Sequence, residues 1–215
     1  MSFSEKKMLI VVGPQGSGNH IWAKIFGLHK SVYGWQKLQK QYWEWHHLEP
    51  FANAWVDPTL LELPKNYSHF VTSCSIPYVY KGGHRVPPIL EFCQEVERQK
   101  ISPIIAVISR DKDIVKLQQE RVRNNVTLND AYRAIEEISE EHFINFLSYE
   151  SLLMWKHRYL ESLIEILKFP IDWTNPKVDE IIKENSNTKY LKDPGPQELD
   201  KVVKNGYRDS SNKLN

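Results

Sequence analysis

Residues 9–22 constrain this chain more than any other stretch: Leu9-Ile10-Val11-Val12-Gly13-Pro14-Gln15-Gly16-Ser17-Gly18-Asn19-His20-Ile21-Trp22. A continuous apolar run rich in β-branched residues is a strand buried on both faces, which is the habit of parallel sheets. The glycines that follow let the backbone turn its amides toward an anion. A helix-compatible run then sets its positive N-terminus behind them. An ordinary strand-to-helix turn produces the same short pattern. The loop ends the first strong strand, however, where an open α/β sheet has its ligand crevice, and this favours an anion site.

Gly13 and Gly18 have the spacing of the nucleotide-binding loop G-x-x-x-x-G-K-[ST], but Asn19 and His20 stand where that loop has its lysine and its magnesium-binding hydroxyl. The chain keeps the cradle and lacks the hydrolytic parts. With 28 basic against 27 acidic residues, no general field draws it to nucleic acid or membrane, so an anion must be held by local geometry. The 215 residues suit one domain with a full core. Two cysteines, Cys74 and Cys93, neither build a disulfide framework nor have metal-ligand spacing, and no metal is expected. The N-terminus shows no apolar leader, and no run approaches the about 18 apolar residues of a membrane span, so a cytoplasmic protein is expected.

Further apolar runs predict strands over 69–74, 103–108 and 143–147. Helical spacing predicts helices over 19–28, 89–99, 112–123, 127–139 and 177–184, and a single long one over 149–167. Residues 75–88 read as a long loop. Residues 1–185 form a single α/β domain, and 186–215 read as a polar tail. Strands alternating with helices imply a central, mostly parallel sheet with helices on both faces, a three-layer α/β/α arrangement.

In such a sheet the carboxyl ends of the strands share one rim. On it fall the first glycine loop, the loop after Cys74, Arg110, and Tyr149-Glu150. An arginine directly after a buried strand is fixed by the scaffold, and its planar fork suits a phosphate; an ion pair with Asp111 or Asp113 is the alternative. The segment 33–55 is dense in aromatics (Trp35, Tyr42, Trp43, Trp45, Phe51, Trp55). It reads as a packing layer or as a pocket for a ring-shaped acceptor, with part of it helical. In the loops expected to face such an acceptor, the candidate bases are His47 first, then His46, His84 and Glu49. Candidate positive charges are His20, Lys24, Lys81 and Arg85, with Arg121 and Arg123 as supplements to Arg110.

Taken in order, the glycine loop, Ile108-Ser109-Arg110-Asp111, and Leu147-Ser148-Tyr149-Glu150-Ser151-Leu152 before a helix ending at Phe169-Pro170 resemble the sulfotransferases that use 3′-phosphoadenosine 5′-phosphosulfate (PAPS). The resemblance covers about residues 8–171. It implies a P-loop NTPase-like fold of the sulfotransferase type and in-line sulfuryl transfer to a hydroxyl or amine of a carbohydrate or small molecule. It leaves desulfated PAP as product, and no metal is required. The loop Gln15, Gly16, Ser17, Gly18 and Asn19, helped by His20, would hold the 5′-phosphosulfate, and Arg110 the 3′-phosphate. Gln118 stands where the family has a serine on that phosphate, eight residues after the arginine. Gly16 stands where many members have a loop lysine or arginine. The histidine that soluble members have after the second strand falls near Ser75, and no C-terminal Arg-Lys-Gly is visible. A P-loop kinase of nucleotides or small metabolites and a non-catalytic nucleotide-binding relative are the alternatives.

Overall fold

A computed structural model describes residues 5–40, 46–80, 83–123 and 125–183. Strand β1 (Lys7–Pro14) is the centre of the molecule: it is followed by helix α1 (Asn19–Phe26), and it is paired in parallel on both edges. On one side lie β3 (His69–Ile76) and then the two-residue edge strand β2 (Val32–Tyr33). On the other lie β6 (Ser102–Ser109) and then β7 (Ile144–Ser148), for a sheet order β2-β3-β1-β6-β7. All its pairings are parallel.

Alternation sorts the side chains to two cores. Met8, Ile10 and Val12 face one side with Phe70, Cys74, Ile105 and Val107; there α2 (Ile89–Arg98) adds Ile89, Phe92, Cys93 and Val96, and α4 (Leu128–Glu141) adds Ala131, Ala134 and Ile138. Leu9 and Val11 face the other side with Val71, Ala106, Ile108 and Leu147, under α1, α5 (Tyr149–Trp155), α6 (His157–Leu167) and α7 (Lys177–Lys183). Strands buried on both faces explain why these runs read as continuous rather than alternating. The three-layer α/β/α arrangement expected from the sequence is the one observed.

Three features depart from the sequence reading. Residues 149–167 form two helices rather than one, broken at Lys156, whose φ of 45° no α-helix accommodates. The break lets α6 turn back, so that the Tyr159 hydroxyl receives the Ser148 amide at 2.8 Å. The loop 75–88 holds an antiparallel ribbon, β4 (Tyr78–Tyr80) with β5 (Gly83–Arg85), too short to stand out as strands. Among the described residues of 33–55, the helical part consists of two 3₁₀ turns, Gln36–Lys40 and His46–Leu48. Tyr42, Trp43 and Trp45 lie outside the described residues, as do Lys81 and the tail expected at 186–215.

The sheet reverses its order between β1 and β6. The connection from β1 leaves through α1 on one face, and that from β6 reaches α4 on the other. The carboxyl ends of two neighbouring strands with diverging connections leave a crevice between them, and this is where open α/β sheets take ligands.

Candidate functional site at the switch point

Gly13 pairs opposite Ser75 and Pro14, the last residue of β1, opposite Ile76; the chain then closes a tight loop in which the Ser17 amide donates to the Pro14 carbonyl at 3.0 Å. Gly16 and Gly18 have φ of 87° and 111°, in the left-handed region. Neither has space for a side chain. A Cβ on Gly18 would stand 2.8 Å from the Tyr149 ring, and one on Gly16 would stand 3.0 Å from the Gln118 amide carbon. The amides of Ile21 and Trp22 donate back to the Gly18 carbonyl. Those of Gly16, Gly18 and Asn19 donate to no protein group among the described residues. Three donors and a helix N-terminus thus lie within four consecutive residues, the parts from which an anion site is built.

Arg110 follows β6, directly beside β1 in the sheet, and is only 8 % exposed. Its guanidinium lies over the Tyr149 ring, 4.5 Å from the centroid, and Nη1 donates to the Gly16 carbonyl and, at 3.1 Å, to Gln118 Oε1. Of the two aspartates expected as its alternative partners, Asp111 is engaged at the start of the next helix. Asp111 Oδ1 accepts the amides of Asp113 and Ile114 at 2.9 and 3.0 Å, which starts α3 (Lys112–Arg123). The Asp111 amide in turn donates to Glu150 Oε1 at 3.0 Å, tying the ends of β6 and β7 together. Gln119, fully buried, donates to the Gln15 carbonyl at 2.7 Å and anchors the other side of the loop. Arg110, Gln118 and the residues 15–19 are therefore one cluster. The Arg121 and Arg123 side chains lie outside the described set.

On the opposite flank of the loop, His20 stacks on His46 with ring centroids 4.9 Å apart and meets Trp35 edge-on at 5.2 Å. Asn19 Nδ2 donates to Ser75 Oγ at 3.0 Å, and Ser75 Oγ lies 3.4 Å from His46 Nε2. A narrow cleft opens beside this group, lined by His46, His47, Trp55, Ser73, Cys74 and Tyr78 among others. His47 is exposed at its rim. His84 is exposed on β5, opposite Val79 in the ribbon. Lys24 is buried within α1 and Arg85 is exposed on the ribbon.

Behind the cleft Glu49, 4 % exposed, accepts the Phe51 amide at 2.8 Å and the Thr72 hydroxyl at 2.7 Å, and Thr72 in turn accepts Trp55 Nε1 at 3.0 Å. Burial pushes this carboxyl up to about 8 against the pull of those bonds. Burial, with Glu49 nearby, raises the Cys74 thiol well above its usual range, so it stays an unreactive thiol. Trp55 is 2 % exposed and stacked on Phe92 at 4.3 Å; Trp35 and Phe51 are equally buried. For these aromatics the packing role holds. The Asn19–Ser75–His46 line was not foreseen, because its members lie 56 and 29 residues apart and only the fold joins them.

A parallel three-layer α/β/α sheet with an amide-lined loop at its switch point defines the class of molecule. No protein-family model matches the sequence, and no curated protein matches it. Among solved structures, the mouse sulfotransferase SULT7A1 complexed with PAP is similar, with a TM-score of 0.45 and 12 % identity over 91 % of this chain and 71 % of that one. No helix of the described residues is long and apolar enough to cross a membrane, and no group of three or more His, Cys, Asp or Glu among them is arranged to hold a metal ion.

Proposed function

We propose that the chain is a sulfotransferase that binds PAPS and passes its sulfuryl group to a hydroxyl of a small molecule or carbohydrate. One observation carries the reading: Arg110 and Gln118 meet the same loop whose Gly16, Gly18 and Asn19 amides have no protein acceptor among the described residues. A ligand with two phosphate groups on one nucleoside satisfies both. The left-handed glycines fit such a ligand, since they let the loop turn its amides outward while Gln118 and Tyr149 pack against it.

In this reading the amides of Gly16, Gly18 and Asn19, with Gln15 and Ser17 in the same turn and His20 beside them, hold the 5′-phosphosulfate. Arg110 and Gln118 hold the 3′-phosphate. When bound, the donor supplies a sulfuryl group already activated by its bond to phosphate. The protein's tasks are then to align the acceptor, keep water out and take one proton. His46 is the base of choice over His47 and His84, because it is stacked on His20 at the loop and faces Ser75. Each charge-assisted bond to the donor is worth about 1.5–3 kcal/mol, so two or three account for micromolar binding.

Incubation with radiolabelled PAPS and a panel of phenols and saccharides tests the proposal. Transfer is expected to at least one acceptor, about 100-fold weaker in His46→Ala and undiminished in His84→Ala. Transfer that survives His46→Ala in full contradicts the assignment of the base.

A further inference from the structure

Asn19 opens α1, Ser75 lies near the end of β3, and His46 comes from the short 3₁₀ turn before the cleft. They meet in one line: Asn19 Nδ2 donates to Ser75 Oγ across 3.0 Å, and Ser75 Oγ is 3.4 Å from His46 Nε2. Asn19 and Ser75 are 5 and 6 % exposed, so bulk water does not compete freely for these bonds. A serine hydroxyl has one proton to give and two lone pairs that accept. Asn19 fills one lone pair. With the His46 ring proton on Nδ1, the Ser75 proton goes to His46 Nε2, and the second lone pair is left for an arriving hydroxyl.

We propose that Ser75 is a proton relay between the acceptor and His46, an inference that rests on the sulfotransferase reading above. The acceptor hydroxyl gives its proton to Ser75 Oγ while Ser75 gives its own to His46 Nε2. The acceptor oxygen forms its bond to the sulfuryl sulfur, and the bond from that sulfur to the bridging phosphate oxygen breaks, its electron pair leaving on the phosphate. His46 ends as the imidazolium and Ser75 ends as it began. The relay requires the neutral His46 ring to carry its proton on Nδ1, because Nε2 must accept. The stack on His20, with the planes 20° apart, holds the ring in the orientation that keeps Nε2 toward Ser75.

Long-range proton–nitrogen NMR on protein labelled in its imidazole nitrogens, without ligand and at about pH 8 where imidazoles are neutral, reads which nitrogen carries the proton. The relay predicts Nδ1–H at His46 in the wild type, a shift toward Nε2–H in Ser75→Ala, and the wild-type pattern in Ser75→Thr, which keeps the hydroxyl. Nε2–H in the wild type overturns the relay, since the ring would then donate to Ser75, and this spectrum decides even if the alanine variant fails to fold. Calorimetry with PAP separates the two levels of inference: a wild type that binds no PAP overturns the sulfotransferase reading and leaves the tautomer result standing. With PAP affinity unchanged, transfer falling about 100-fold in Ser75→Ala supports the relay, and equal transfer contradicts it.

Discussion

Glu49 is a carboxyl with no cationic partner among the described residues, buried behind the cleft with only dipoles to hold it. Its pKa rises from 4.5 to about 8 in the folded chain. Between those values the native state holds a proton that the unfolded chain has released, so stability falls as pH rises from about 5 through 8 and then levels off. At about 1.36 kcal/mol per pH unit the loss is limited to about 5 kcal/mol. Urea denaturation from pH 5 to 8.5 is expected to show this decline in the wild type and a much flatter profile in Glu49→Gln; parallel profiles would place the titration elsewhere. Arg110 meets burial differently, by sharing its guanidinium between a carbonyl, an amide oxygen and a ring face. Arg110→Lys keeps the charge but not the planar fork. It is expected to lower PAP affinity at least about tenfold, as read by calorimetry.

Two elements fix the geometry of the site, and each has a single residue on which it turns. Gly18→Ala forces a Cβ against Tyr149, the ring on which Arg110 lies, at a φ of 111°. A loss of about 1–3 kcal/mol in thermal or chemical unfolding is expected, together with loss of PAP binding. Asp111 caps α3, the helix that carries Gln118. Asp111→Ala is expected to cost about 1 kcal/mol in stability, measured by denaturation, and to weaken PAP only modestly. The four long strands and most helices were legible because apolar runs and 3.6-residue spacing are local signals. The break at Lys156 was not, since no glycine or proline marks it and the reward for breaking is a tertiary one, the Tyr159 hydroxyl on the Ser148 amide.

At the scale of the whole molecule, the sheet order decides which loops meet. The sequence placed the glycine loop and Arg110 on one rim, but it did not reveal that β6 is the immediate neighbour of β1, which brings the arginine into contact with the loop. Nor does sequence order justify the rank that sets His47 ahead of His46. His47 and His46 are equivalent as a dipeptide, and only the packing of 3₁₀ turn, α1 and β3 turns one toward Ser75 and leaves the other exposed at the rim. The central claim is that the amides of Gly16, Gly18 and Asn19 and the Arg110–Gln118 pair bind one doubly phosphorylated adenosine. Its most direct test is a calorimetric titration of PAP, with EDTA present, into wild type and Arg110→Ala. The account predicts one site per chain in the wild type and a loss of about 1.5–3 kcal/mol in the variant. Absence of binding in the wild type, or equal binding by both, would contradict it.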